Sequence, residues 1–202
     1  MKNLLRSSAS FRLPLLLAVV CLLPSLAQAH PGIPGHTHGL ANGFVHPLSG
    51  LDHLLAMIAV GLWAAQRGGR ALWMVPLAFL SLMTLGGALG MMGFGQLPWM
   101  EQAIAASVFT LGILIATAAR LPLPASVAIV AFFALFHGYA HGAEMPATAG
   151  GLAYGIGFII ATAMLHGAGI GLGLATRRLN APKLARATGI AIAACGVYLL
   201  AA

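Results

Sequence analysis

His46-Pro47-Leu48-Ser49-Gly50-Leu51-Asp52-His53-Leu54-Leu55-Ala56-Met57-Ile58-Ala59-Val60-Gly61 sets two imidazoles and a carboxylate at the head of an apolar run that continues to Trp63. A carboxylate beside an imidazole in such a segment is costly unless something compensates it. Asp52 is one of only three acidic residues in the chain. A second stretch of the same character follows at Phe136-His137-Gly138-Tyr139-Ala140-His141-Gly142-Ala143-Glu144-Met145-Pro146.

The composition fixes the medium in which these groups work. Of 202 residues, 60% are hydrophobic and 6% charged, and the mean hydropathy is +0.95. That balance cannot furnish the solvated surface of a soluble domain. The net charge of +7 raises nucleic acid as a partner, but the basic residues form no face or stripe. They occupy short gaps between apolar runs, which excludes that class.

The first 29 residues read as a secretory signal peptide. Lys2, Arg6 and Arg12 form the positive region, Leu13 to Leu23 the apolar region, and Ala27-Gln28-Ala29 the cleavage site. The apolar region falls short of the ~20 residues that a span needs. Cys21 lies in the segment expected to be removed, which leaves Cys195 without an intrachain partner. Residues 30–45, rich in Gly, Pro and His, are expected to form a flexible lead-in that carries His30, His36 and His38.

Residues 46–202 are expected to form an all-α bundle of six transmembrane helices, at about 48–66, 71–92, 101–119, 122–142, 149–175 and 184–202. Each run has the length that crosses a bilayer as a helix. No alternating pattern of a barrel is present, and an open sheet cannot satisfy its backbone in lipid. Arg67, Arg70, Arg120, Arg177, Arg178, Lys183 and Arg186 all fall in alternate gaps. The positive-inside rule makes those gaps cytoplasmic and both mature termini periplasmic, in agreement with signal cleavage. Four glycine pairs, Gly86/Gly90, Gly151/Gly155, Gly167/Gly171 and Gly169/Gly173, have the spacing of close-packing positions.

On a helix His137 and His141 share one face, and Glu144 returns to it. The orientation puts this trio and His46, Asp52 and His53 in the outer half of two different spans, able to converge on one cation. Imidazole with carboxylate suits Ni, Co, Zn, Mn or Fe better than Cu(I). His166 lies further inward on the fifth span and is a candidate relay. Glu101 suits a solvated helix start. Met57, Met91 and Met92 read as apolar filling.

The two stretches resemble the HupE/UreJ family of membrane metal permeases, associated with nickel supply to hydrogenase and urease. The family's first motif looks like His-Pro-x-x-Gly-x-Asp-His-x-x-Ala-Met-x-x-Val-Gly, carried here by residues 46–61. The second, His-Gly-x-x-His-Gly-x-Glu, stands at 137–144. The resemblance implies Ni²⁺ as transported substrate, with Co²⁺ or Zn²⁺ as alternatives, and a bacterial inner-membrane location. It implies His46, Asp52, His53, His137, His141 and Glu144 as metal-site residues, with no organic cofactor. The competing class is a membrane b-type cytochrome, in which His53 with His137 or His141 would ligate haem. Haem ligands need no adjacent carboxylates, so Asp52 and Glu144 speak against it. No nucleotide-binding motif is present, and a zincin helix would need Glu where Gly138 stands, so neither an ATP-driven pump nor an enzyme is expected.

Overall fold

Gly50 divides the first apolar run. Helix α1 (Leu40–Ser49) and helix α2 (Leu51–Arg67) meet there at 85°. Gly50 has extended backbone, with φ −93° and ψ 124°. Pro47 sits in the last turn of α1, where its ring nitrogen cannot continue the helical hydrogen bonds. These features correct two expectations. Residues 40–45 are helical rather than part of a flexible lead-in, and His46 lies in the last turn of α1 instead of ahead of the first expected span. The local reason is packing: a Cβ on Gly43 would overlap the backbone of Tyr154, and one on Gly157 the carbonyl of Leu40. Backbone contact this close holds α1 against a later helix.

The computed structural model of the protein describes residues 39–93, 98–145 and 149–202. The expected signal segment and His30, His36 and His38 lie outside these. The remaining elements are α3 (Ala71–Met91), α4 (Met100–Ala116), α5 (Leu123–Glu144), α6 (Ala149–Arg178) and α7 (Pro182–Ala201). Among the described residues there is no strand. Helices α3, α5, α6 and α7 are each long and apolar enough to cross a membrane, and the α1–α2 pair passes the same test as one bent unit. Helix α4 is shorter, at 17 residues, or about 26 Å at 1.5 Å per residue.

Glycine sets the helix pairing. Gly86 and Gly90 of α3 lie against the backbone of Leu135, Tyr139 and Ala143 on α5, while Gly138 and Gly142 lie against Met83 and Gly87. In the same way Gly61 and Gly169 join α2 to α6, and Gly112, Gly189 and Gly196 join α4 to α7. Small residues let backbones approach where lipid offers no hydrophobic drive. One expected pair, Gly167/Gly171, and one member of another, Gly155, behave differently: none of the three has an atom within 4 Å of where a side chain would sit. Gly167 and Gly171 face outward, while Gly155 is half-buried and lines the open space beside His141.

Trp63, Phe79, Leu55, Met57 and Ile115 fill the centre. The outside is equally apolar, with Trp73, Phe132, Leu152 and Ile190 all exposed, as a helix bundle in lipid requires. At one end, polar side chains close the carbonyl ends of two helices. Arg177 Nη1 donates to Ala65 O at 3.2 Å and Arg186 Nε to Ala116 O at 2.8 Å. Such bonds satisfy carbonyls that the helix leaves open. Cys21, the other cysteine of the chain, lies outside the described residues.

Candidate metal site

The break at Gly50 creates a helix N-terminus within the bundle. Its first turn has backbone N–H groups without helical partners and the positive end of the helix dipole. Asp52 answers both. Its Oδ1 accepts from the backbone N–H of His53 at 2.8 Å and from His53 Nδ1 at 2.8 Å. The carboxylate is thereby compensated locally, and the His53 ring is held in one orientation. With Nδ1–H given to Asp52, the Nε2 of a neutral His53 carries a lone pair.

That nitrogen meets the second stretch. His141 Nε2, on α5, stands 2.6 Å from His53 Nε2. His137, one turn earlier on α5, has its ring centroid 5.0 Å from that of His53. His46 comes in from the end of α1, 4.6 Å from the His141 ring and 6.2 Å from the His53 ring. The structure therefore gathers His46, Asp52, His53, His137 and His141 from α1, α2 and α5. His53, His137 and His141 are buried, and Asp52 keeps a side-chain exposure of 18%. Glu144 is the last residue of α5, but its side chain lies outside what the structure describes.

Neighbouring helices wall the cluster. Phe158 of α6 lies 4.6 Å from the His141 ring and Tyr154 lies 5.6 Å from the His46 ring. Phe79 of α3 touches His137 and also His166, at 5.5 and 5.1 Å. His166 is therefore beyond Phe79 and not part of the outer cluster. It is fully buried, and neither ring nitrogen has a hydrogen-bond partner among the described residues. Ser107 of α4 completes the surroundings, 3.0 Å from His137 Nε2. Nothing in the sequence singled it out, because an isolated serine in an apolar helix carries no motif. Beside His141 lies a cavity of about 210 Å³, lined among others by Met83, Met91 and Met145. Met57 is core and Met92 is exposed.

The comparison with known proteins decides the identity. The family model described as HupE / UreJ protein matches residues 17–199. The chain belongs to the HupE/UreJ family. HupE of Rhizobium leguminosarum bv. viciae is 46% identical over 178 residues, spanning 88% of this chain and 92% of that protein. No solved structure matches. As a HupE/UreJ protein with this set of apolar helices, the chain is a multi-pass membrane protein.

The geometry of the HupE/UreJ cluster is that of hydrogen-bonded imidazoles. Among the described residues no three His, Cys, Asp or Glu side chains already present their ligating atoms to a common point. Two nitrogens bound at about 2.1 Å in tetrahedral geometry stand about 3.4 Å apart, whereas His53 and His141 stand at 2.6 Å. To admit a cation the two rings must separate by less than 1 Å, and the N–H···N bond must give way to metal–nitrogen bonds.

Proposed function

We propose that this protein carries a divalent transition-metal cation, nickel first among them, inward across the bacterial inner membrane. The observation that carries the reading is the convergence of four imidazoles and a compensated carboxylate at a helix break inside an otherwise apolar bundle. Ionisable groups inside an apolar helix bundle mark ion pathways, and broken helices recur where transporters hold their ions. Imidazole with carboxylate favours nickel, cobalt or zinc. Membership of the HupE/UreJ family supports the same reading. Haem is disfavoured, since nitrogens 2.6 Å apart leave no gap for a macrocycle between His53 and His141.

In this reading His46, His53, His137 and His141 take the ion, Asp52 orients His53, and Glu144 adds a carboxylate from the end of α5. His166 receives the ion beyond Phe79, on the way to the basic end of the bundle. The α1–α2 pair, α3, α4, α5, α6 and α7 make six crossings, with the basic loops in the cytoplasm and both mature ends in the periplasm. Residues 1–29 are cleaved, and His30, His36 and His38 form a weak capture site ahead of the bundle. No enzymatic step is assigned.

The test is uptake of radioactive nickel by cells bearing the chain, in competition with Co, Zn and Mn. Saturable uptake suppressed by one of these ions ranks the substrates. Uptake unchanged by the double variant Asp52→Ala with His137→Ala overturns the site.

A further inference from the structure

We propose that Ser107 is a positioning residue, one that fixes which nitrogen of His137 offers a lone pair to the ion. The inference rests on the reading of His137 as an ion ligand and goes on to the residue that prepares it. Ser107 and His137 lie on different helices, α4 and α5, and both are fully buried. Ser107 Oγ makes two contacts: Ile104 O at 2.6 Å and His137 Nε2 at 3.0 Å. A hydroxyl has one proton and two lone pairs. A carbonyl oxygen only accepts, so the serine proton goes to Ile104 O. Toward the imidazole, Oγ is then an acceptor, and His137 Nε2 must be the donor.

The single ring proton of a neutral His137 therefore sits on Nε2, and Nδ1 carries the lone pair. The rest of the structure agrees, since His137 Nδ1 is buried and has no hydrogen-bond partner among the described residues. An unmatched lone pair in an apolar bundle is unfavourable by itself, and a cation is the partner that it suits. The chain of bonds from Nε2–H through Oγ–H to Ile104 O polarises the ring in the direction that makes Nδ1 a better donor to metal. The pattern repeats what Asp52 does for His53 with the opposite nitrogen: there Nδ1–H is held and Nε2 is left open.

The experiment uses the full chain in lipid nanodiscs with ¹⁵N-labelled histidine, and Ni²⁺ alone as the probe. Imidazole nitrogen shifts separate a protonated nitrogen from one with a lone pair, and the His137 signals are assigned by their loss in His137→Gln. The wild type should show His137 protonated at Nε2 only. Ser107→Ala should mix the two tautomers and weaken nickel binding about 10- to 100-fold, the range for loss of a residue that orients a metal ligand. Ser107→Thr keeps Oγ and should restore both. A wild-type His137 protonated at Nδ1 overturns the proposal, as does Ser107→Ala with unchanged tautomer and affinity. Should Ser107→Ala not fold, the wild-type spectrum still decides the tautomer. A wild type that shows the expected tautomer and binds no nickel defeats the metal reading and leaves the assignment of Ser107 and His137 standing.

Discussion

His53 Nε2 and His141 Nε2 lie 2.6 Å apart although 88 residues separate them in the chain. The contact joins the break in the first apolar run to the end of α5 and makes one unit of two motifs. It also sets a condition for ion binding, since one hydrogen bond must be given up for two metal bonds. The two residues should thus behave as a coupled pair. His53→Ala and His141→Ala should each reduce nickel uptake by at least about 100-fold, the upper range for loss of a residue that only orients a ligand. The double variant should be little worse than either single one, because each single change already destroys the shared site. Independent, multiplying losses in the uptake assay would mean that the two imidazoles act at separate points.

The glycines supply a stability prediction. A Cβ on Gly138 would overlap Met83 O, so Gly138→Ala should push α3 and α5 apart. Overpacking of this kind costs about 1–3 kcal/mol. Gly167 and Gly171 have open space around them. Gly167→Ala and Gly171→Ala should be neutral or slightly stabilising, since Gly in a helix is about 1 kcal/mol less favourable than Ala. Thermal unfolding in detergent, followed by helical circular dichroism, separates the two groups.

This division of the glycines shows how far the chain could be read in advance. Helix class, the long apolar runs, the basic end and the shared depth of His53 with His137 and His141 follow from local period and charge, and these were legible. Spacing alone did not tell Gly86 and Gly90, which meet α5, from Gly167 and Gly171, which meet nothing. Nor did it reveal the bend at Gly50, because an apolar run reads the same whether it is straight or broken. Helix α1 was missed because its apolar face is short and its stability comes from Tyr154 and Gly157, more than 100 residues away. Ser107 was missed for a similar reason: its role exists only through His137, 30 residues on.

Orientation can be tested independently of transport. All basic residues from Arg67 onward lie in alternate gaps, so the proposed orientation puts Gln96 on the periplasmic side. A cysteine placed at Gln96 in a chain with Cys195→Ala should react with an impermeant maleimide on intact cells. A cysteine at Arg70 should react only after lysis. The reverse pattern would put the His cluster on the cytoplasmic side.

The N-terminal histidines call for a concentration test. In the proposed mature chain Pro31, which has no N–H, prevents a terminal chelate of consecutive deprotonated amides across that residue. In the proposed reading His30, His36 and His38 bind metal through their imidazoles without such a chelate. Changing all three to Ala should lower nickel uptake several-fold at scarce metal and not at all at plentiful metal. Equal uptake at every concentration would reduce the segment to a spacer, and complete loss at every concentration would move the essential site there.

Asp52 separates two ways for a carboxylate to serve this site. Its Oδ1 is occupied by two hydrogen bonds from His53, one from the backbone and one from the ring. If its task is to hold that ring, an amide oxygen at the same place can still accept both bonds, though more weakly, because a bond to a charged acceptor is roughly twice as strong as a neutral one. Asp52→Asn should then keep partial function, with nickel uptake lowered about 10-fold, while Asp52→Ala, which leaves His53 Nδ1 without its acceptor, should lose about 100-fold. If Asp52 instead binds the ion directly through its charge, the amide is a poor substitute and Asn should fail as completely as Ala. The ratio of the two variants in one uptake assay decides between these roles. Cell-surface labelling of the Gln96 cysteine in each variant confirms that both reach the membrane. A carboxylate that orients His53 predicts the graded series Asp, Asn, Ala, and a carboxylate that ligates predicts a single step after Asp.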